Sequence, residues 1–202
     1  MFDLEWEHIR FGQAWVAQNI TISHEIAKLC SEYTNQTNCV DLRLHPRVLI
    51  SWHEASLSAD QFLGDRKSEG VDLGNLGNAY ADLGDARKAI EFHEQALIID
   101  REIGDRRGEG AALGNLGNAY AALGDVRKAI EFHEQRMVIA REIGDRRGEG
   151  NALFNVGLSL YDLDEKEKGI NLVKQALKIY EAIESPSAKN ARNKLKEWGA
   201  LE

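Results

Sequence analysis

The sequence predicts an all-α protein made of antiparallel helix hairpins that stack on one another. Three observations support this fold class. Gly64-Asp65-Arg66 recurs at residues 104–106 and 144–146, which gives a repeat of 40 residues. Within each repeat, apolar residues recur at spacings of three and four, as they do on one face of a helix. A break such as Gly84-Asp85 divides the repeat into two helices of about 17 residues, which together account for its length.

The first helix of a repeat carries one apolar stripe, which in residues 64–83 consists of Leu73, Leu76, Tyr80 and Leu83. Gly84 should end this helix, because glycine adopts the left-handed conformation beyond a helix C-terminus, and Asp85 can cap the next helix. The second helix has a broad face that we expect to be buried, formed by Ala89, Ile90, Phe92, His93, Ala96, Leu97 and Ile99. Because one hairpin cannot bury its own stripe, neighbouring hairpins must stack.

The repeats are predicted at residues 64–103, 104–143 and 144–183, between two different flanks. Residues 1–63 should form a helical connector and a degenerate repeat. Its second helix is Pro46–Leu63, because Ile50, Trp52 and His53 match the second helices of the later repeats. We expect its partner helix at residues 21–35 and a further helix at residues 4–19. Residues 184–202 should contain a polar capping helix at 188–198, and Leu201-Glu202 resembles a tag remnant.

Composition narrows the function classes. The net charge of −8 argues against nucleic acid or an anionic membrane as the main partner. No apolar run approaches the length of a membrane span, and the first residues lack a secretory signal, which favours a cytoplasmic protein. Cys30 and Cys39 match no zinc or redox spacing, and we expect both to be free thiols. The chain contains no phosphate-binding glycine loop, so we expect no nucleotide cofactor.

The pattern Leu73-x2-Leu76-Gly77-x2-Tyr80, followed by Ala89 and Ala96, resembles the tetratricopeptide repeat (TPR). The usual unit has fewer residues, and the longer unit seen here is similar to that of Partner-of-Inscuteable-type scaffolds and kinesin light chains. The resemblance implies a TPR superhelix, an α-solenoid that serves as a protein-interaction scaffold. Residues 2–5 and 41–46 resemble the connector before the repeats of bacterial NB-ARC/STAND signalling ATPases, which implies the sensor region of a larger signalling protein.

Catalytic and metal sites are not predicted. His53, His93 and His133 occupy equivalent places, and equivalent residues in stacked hairpins lie at least one helix-packing distance apart, roughly 8–10 Å. They cannot share one metal ion and should line the core. The carboxylates of the second helices alternate with basic residues at helical spacing, as on a solvated face. No Ser-His-Asp or Cys-His group stands out, so we predict a chain without enzymatic activity.

In the TPR family the first helices line the concave groove that holds a peptide or protein segment. The resemblance places there Lys67, Val71, Gly74, Asn75, Asn78, Arg107, Gly114, Asn115, Asn118, Arg147, Asn151, Phe154, Asn155 and Leu158. Asparagine suits this role because its amide both donates to and accepts from a peptide backbone. Asn78 and Asn115 match asparagines of family members that bind chaperone tails, but the lysines of those proteins are missing, so we do not predict that ligand.

The glycines inside the first helices need a structural explanation, because each lowers helix stability by about 1 kcal/mol relative to alanine. Gly77 and Gly117 should allow close approach of the paired helix. Gly74 and Gly114 face the groove, where either a ligand or an adjacent first helix could approach them. Arg136 stands where the neighbouring repeats have alanine. We expect it to make the packing less regular unless its side chain extends outward into solvent.

The expected partner is acidic. Lys67, Arg107 and Arg147 recur in the first turn of each first helix, where the helix N-terminus already favours anions. The alternative is that these cations offset Glu69, Glu109 and Glu149. Two other partner classes remain open. Terminal hairpins could associate into a homodimer, although we favour a monomer, and helical repeats can read RNA, which the net charge disfavours.

Overall fold

The computed structural model describes residues 12–20, 24–35 and 46–201, and every regular element in these ranges is an α-helix. Ten helices follow in order: α1 (12–18), α2 (His24–Asn35), α3 (Pro46–Leu63), α4 (Arg66–Asp82), α5 (Ala86–Ile103), α6 (Arg106–Ala122), α7 (Val126–Glu142), α8 (Arg146–Asp162), α9 (Lys166–Ala182) and α10 (Ser187–Glu197). The prediction of an all-α chain of helix hairpins is confirmed.

The flanking helices agree with the sequence where the structure describes them. The predicted second helix at Pro46–Leu63 is α3, its partner is α2, and the capping helix is α10. The predictions for residues 1–11, for residues 21–23 and for the motif at 41–46 up to His45 lie outside the described residues, as does Cys39. Cys30 is described and is a buried free thiol.

The chain divides into two compact units, Met1–Gly104 and Asp105–Glu202. In the first unit α2 packs on α3, α3 on α4, and α4 on α5. In the second unit α6 packs on α7, α7 on α8, α8 on α9, and α9 on α10. Each unit therefore contains hairpins that bury the apolar faces of neighbouring helices against one another, as the repeat pattern requires.

Gly-Asp pairs form the turns between these helices, as predicted. Gly84 has a φ of 81° and lies in the left-handed region, and the Asp85 side chain accepts a hydrogen bond from the backbone N–H of Lys88. Aspartates cap the other helices of the first two repeats and α8 in the same way. The last repeat differs, because Asp164 takes the left-handed position at φ 68° and Glu165 makes no side-chain cap.

The predicted apolar faces form the core. Leu73 and Leu76 are buried on α4, and the second-helix face of α5 is buried apart from Phe92, which is half-buried and stacks on Tyr80 with ring centroids 5.3 Å apart. Leu83 is an exception to the predicted stripe. It is 39% exposed because it is the C-cap residue of α4, where the helix ends at the surface.

Gly77 is the contact point between the two helices of its hairpin. A Cβ atom at Gly77 would lie 2.4 Å from Cε1 of the His93 imidazole. A Cβ atom at Gly117 would likewise lie 2.6 Å from Cε1 of His133. Both rings are buried, which confirms the prediction of core-lining histidines, and burial lowers the pKa of each to about 4. The glycine thus provides the space for an uncharged imidazole.

Candidate functional site

The groove residues predicted in the first unit lie on α4. Lys67 and Asn78 are exposed, Val71 is 49% exposed, and Asn75 is half-buried. Among the described residues, no atom outside its own helix lies within 4 Å of the position that a Cβ at Gly74 would take. Within the first unit, the alternative of an adjacent first helix packed closely against Gly74 is therefore not observed, and this part of the helix surface is open.

The groove residues predicted in the second unit lie on α6 and α8. The exposed members are Arg107, Asn118 and Arg147, and the half-buried members are Asn115, Asn151, Phe154, Asn155 and Leu158. The Asn155 side-chain amide donates to the Asn118 Oδ1 atom at 3.2 Å. This bond connects the two first helices of the unit and places their asparagines side by side.

The glutamates of the first helices have partners other than Lys67, Arg107 and Arg147. Arg66 pairs with Glu69, Arg106 with Glu109, and Arg146 with Glu149. Arg66 also reaches Glu102 at the far end of its hairpin, and Arg106 likewise reaches Glu142. The arginines of the first two Gly-Asp-Arg motifs, Arg66 and Arg106, therefore hold the two ends of their hairpins together.

Within the described ranges, Lys67, Arg107 and Arg147 make no ion pair within 4.0 Å. The alternative explanation that they offset Glu69, Glu109 and Glu149 does not fit this geometry, because those carboxylates are occupied by the preceding arginines. The exposed cations of the first helices remain available to a partner.

Gly114 and Arg136 correct two expectations. A Cβ atom at Gly114 would lie 2.2 Å from Nη1 of Arg136 and 2.9 Å from its Cδ. The space over this glycine is filled neither by a ligand nor by an adjacent first helix but by the Arg136 side chain. Arg136 therefore does not extend outward into solvent. It crosses Gly114 and is half-buried, because the missing Cβ leaves a channel for it.

The Arg136 side chain lines a cleft of about 180 Å³ in the second unit. Asn118, Asn151 and Asn155 line the cleft together with Phe154 and Tyr180, and Ser187 and Asn190 of α10 complete it. The lining contains one cation and no carboxylate. A smaller cleft of about 100 Å³ lies on the other side of Arg136, where Arg107 and Asp145 are among the lining residues.

Arg136 is a partly buried cation in a chain whose net charge is −8. Burial lowers the pKa of its guanidinium, and the charge of Asp145 acts in the opposite direction. Burial also raises the pKa of the Tyr180 hydroxyl to about 12, so that it remains a neutral donor. That hydroxyl donates to the Asn151 Oδ1 atom at 2.9 Å.

Sequence reasoning missed the contribution of Arg136, Tyr180 and α10 to this surface. The one available signal was the arginine at a place where the neighbouring repeats have alanine. It also missed a buried polar cluster in the first unit. His53 Nδ1 lies 2.9 Å from Asp72 Oδ1, and the nearby Asp60 is fully buried. Burial, followed by the neighbouring Asp72, raises the pKa of Asp60 to about 7, and a hydrogen bond from Ser31 opposes this rise.

In the described part of the chain, no group of three or more histidine, cysteine, aspartate or glutamate side chains could hold a metal ion. No described helix combines the length and the apolar character needed to cross a membrane.

Comparison with solved structures finds the same fold in several proteins. The structure of a signal transduction ATPase with numerous domains (STAND) from Pyrococcus horikoshii, which has a tetratricopeptide repeat sensor, is 18% identical with a TM-score of 0.68. The match covers 91% of this chain and 32% of that one. The TPR-like repeats of a protein described as a kinesin light chain from Podosopora anserina are 18% identical with a TM-score of 0.61, covering 89% and 84%. Bacillus thuringiensis PlcR, in complex with the peptide PapR7 and DNA, is 15% identical with a TM-score of 0.58, covering 92% and 74%.

These identities are low, and the likenesses show the fold alone. The chain spans about a third of the STAND protein. No curated protein matches the sequence. The family model described as tetratricopeptide repeat matches residues 69–142 and again residues 109–182, which together make up more than half of the chain. The 40-residue pattern, the stacked hairpins and this match establish that the chain belongs to the tetratricopeptide repeat family.

Proposed function

We propose that this chain is a protein-interaction module that binds an acidic peptide or protein segment on the first-helix face of its second unit. The observation that carries the proposal is the pair of exposed cations without ion pairs on that face, Arg107 and Arg147, on helices whose glutamates are already paired. Lys67 takes the equivalent place in the first unit. Each cation lies in the first turn of its helix, where the helix dipole adds to its attraction for anions.

Asparagines next to these cations supply contacts for the partner's backbone. Asn75 and Asn115 lie two turns after the cation of their own helix, on the same face. A side-chain amide offers both a donor and an acceptor, which is what an extended peptide backbone requires. The cations would therefore select acidic side chains, and the asparagines would hold the chain that carries them.

We place this module in a cytoplasmic signalling protein as its sensor region and assign it no catalytic residue. The STAND protein with a TPR sensor supports this placement by its fold. Self-association is the weaker alternative. The α9 helix, which would be the exposed end of the second unit, is covered by α10, with Leu195 fully buried and Trp198 stacked on Tyr161 at 3.8 Å between ring centroids.

The test is selection from a displayed peptide library by the purified chain. We expect the wild type to enrich peptides with several aspartates or glutamates, and Arg107→Glu with Arg147→Glu to lose this enrichment. Asn115→Ala should weaken binding of a selected peptide without changing its salt dependence, because it removes a neutral contact.

The matched control reverses two exposed cations on second helices, Arg127→Glu with Lys174→Glu. It introduces the same change in net charge but away from the first-helix face. If the control loses the enrichment to the same degree, the attraction is a property of net charge and the proposed face has no special role. Enrichment of peptides without acidic residues by the wild type would also contradict the proposal.

A further inference from the structure

We propose that Asp60 and Asp72 share one proton at the meeting point of α2, α3 and α4, and that this proton keeps α2 in place on α3. When the proton is lost, α2 is released, so that the start of the helical stack responds to pH. This conformational device is independent of the partner that the first-helix face binds.

The Asp60 side chain, on α3, meets both neighbouring helices. The Ser31 hydroxyl of α2 donates a hydrogen bond to it, and the carboxyl of Asp72 on α4 lies within hydrogen-bonding reach. Asp60 and Asp72 are both fully buried. Asp72 Oδ1 lies 2.9 Å from His53 Nδ1, whereas Asp72 Oδ2 has no donor among the described residues while both carboxyls are ionised. A proton on Asp60 supplies the missing donor.

The ionisable groups that face Asp60 do not compensate a negative charge on it. Cys30 of α2 is a neutral thiol, because burial, followed by the charges of Asp72 and Asp60, raises its pKa to about 11. Asp72 and Asp65, from α4 and the turn before it, are themselves acids. His53 of α3 pairs with Asp72. Burial, followed by Asp72, therefore raises the pKa of Asp60 to about 7, although the hydrogen bond from α2 opposes this rise.

The weaker of the two covers over Asp60 is α2. Its described buried side chains are all small: Ala27, Cys30 and Ser31. The contact of α3 with α4 instead contains large apolar side chains, Ile50 and Leu76. A helix of 12 residues such as α2 is also marginally stable without tertiary contacts. Because an ionised Asp60 requires water, and α2 contributes less buried apolar surface, α2 is the helix that moves.

The acid pair belongs to this interface only. The places equivalent to Asp60 and Asp72 in the two later interfaces hold Asp100 with Ala112, and Ala140 with Ala152. Stacking of repeats therefore does not require two acids, and alanine serves at the same places. Buried carboxyls are unfavourable unless they are paired and hydrogen-bonded, so the pair adds a proton requirement that the later repeats lack.

The direction of the pH response follows from the two states of Asp60. Its pKa is about 7 when α2 covers it and about 4 when water reaches it. The covered state therefore binds the proton more tightly, and acid favours it. Between pH 4 and pH 7 the ratio of released to covered α2 should rise about tenfold per pH unit, and above pH 7 it should level off.

The Cys30 thiol reports the release of α2, because it is fully buried while α2 is in place. A Cys39→Ser background leaves Cys30 as the single thiol of the chain. At each pH, its rate of reaction with dithiodipyridine is divided by the rate of a capped peptide of residues 28–32, which cancels the changing thiolate fraction. We expect this ratio to rise about a hundredfold from pH 5 to pH 7. A ratio that is independent of pH would overturn the proposal.

Substitutions identify the titrating group. Asp60→Asn imitates the protonated acid, so the ratio should stay at its low value over the whole range. Asp72→Asn leaves Asp60 buried without its acidic neighbour and should reduce the rise. The matched control is Asp100→Asn, which removes one acid at the equivalent place on α5 and should keep the rise of the parent protein. The proposal fails if Asp60→Asn retains that rise, if the control loses it, or if His53→Gln abolishes a rise that Asp60→Asn retains.

Hydrogen exchange followed by mass spectrometry separates release of α2 from unfolding of the whole first unit. After correction for the intrinsic pH dependence of exchange, the amides of α2 should exchange about a hundredfold faster at pH 7 than at pH 5. The amides of α5 should change by less than about threefold, because that helix does not contact the acid pair. Equal acceleration of α2 and α5 would show that the unit unfolds as a whole, and it would contradict a release confined to α2.

Discussion

Alanine at Gly77 and alanine at Gly74 should have opposite effects on stability, although the two positions are three residues apart on α4. Each substitution relieves the cost of a glycine inside a helix, about 1 kcal/mol. At Gly74 no described atom outside the helix lies within 4 Å of the new methyl group, so this gain is retained. At Gly77 the methyl carbon would lie 2.4–2.7 Å from three atoms of the His93 ring.

The His93 ring cannot move away, because it is 1% exposed and enclosed by the core. Overpacking of a core by one methyl group costs about 1–3 kcal/mol. The helix-propensity gain cancels when the two variants are compared, so the difference between them is the steric cost alone. For a chain of this length, about 2 kcal/mol corresponds to roughly 4–8 °C in Tm. We expect Gly77→Ala to melt below Gly74→Ala by this amount.

The assay is thermal unfolding followed by far-ultraviolet circular dichroism, with His93→Ala as the third member of a double-mutant cycle. Without the imidazole, Gly77→Ala should no longer be destabilising, because its methyl group then enters the space that the ring has left. A Gly77→Ala variant that melts at or above Gly74→Ala would refute the packing argument. So would a cycle without coupling between Gly77 and His93.

Three further predictions concern the core. Burial lowers the folded-state pKa of His93 and His133 to about 4. Each neutral imidazole therefore contributes about 3 kcal/mol to the free energy of unfolding above pH 6.5, and this contribution is lost as the pH falls towards 4. Imidazole nuclear magnetic resonance signals that titrate near pH 6.5 would contradict this. Burial raises the folded-state pKa of Asp60 to about 7, so its contribution is present below pH 4 and is lost as the pH rises to 7, and Asp60→Asn should flatten the denaturant-measured stability over that interval. Leu76→Ala should lower the free energy of unfolding by about 2–5 kcal/mol because Leu76 is fully buried. Ile98→Ala, at a 57% exposed site, should change it by less than about 0.5 kcal/mol. If urea unfolding gives similar losses for the two variants, burial does not set the cost of the substitution.

The helices and their ends were predictable because their causes are local. The 3.6-residue periodicity of Leu73 and Leu76 specifies a buried face within one helix, and the Gly84-Asp85 pair specifies a left-handed residue followed by a cap. The burial of His93 was predictable too, since it follows from its place on the apolar face of its helix. The repeat itself supplied the stacking, because a single hairpin leaves its apolar stripe exposed.

The cleft depended on distances that no local pattern contains. The sequence placed Asn118 and Asn155 on similar faces of two helices, but only tertiary packing brought their amides to 3.2 Å. The sequence also marked Gly114 as unusual without indicating that Arg136, 22 positions away, fills the space above it. Helical periodicity determines which way a side chain points, whereas the neighbour it meets depends on helix separation and side-chain length. The sequence by itself therefore determined the family and the helices of this protein, and the tertiary structure decided which polar groups share a cleft.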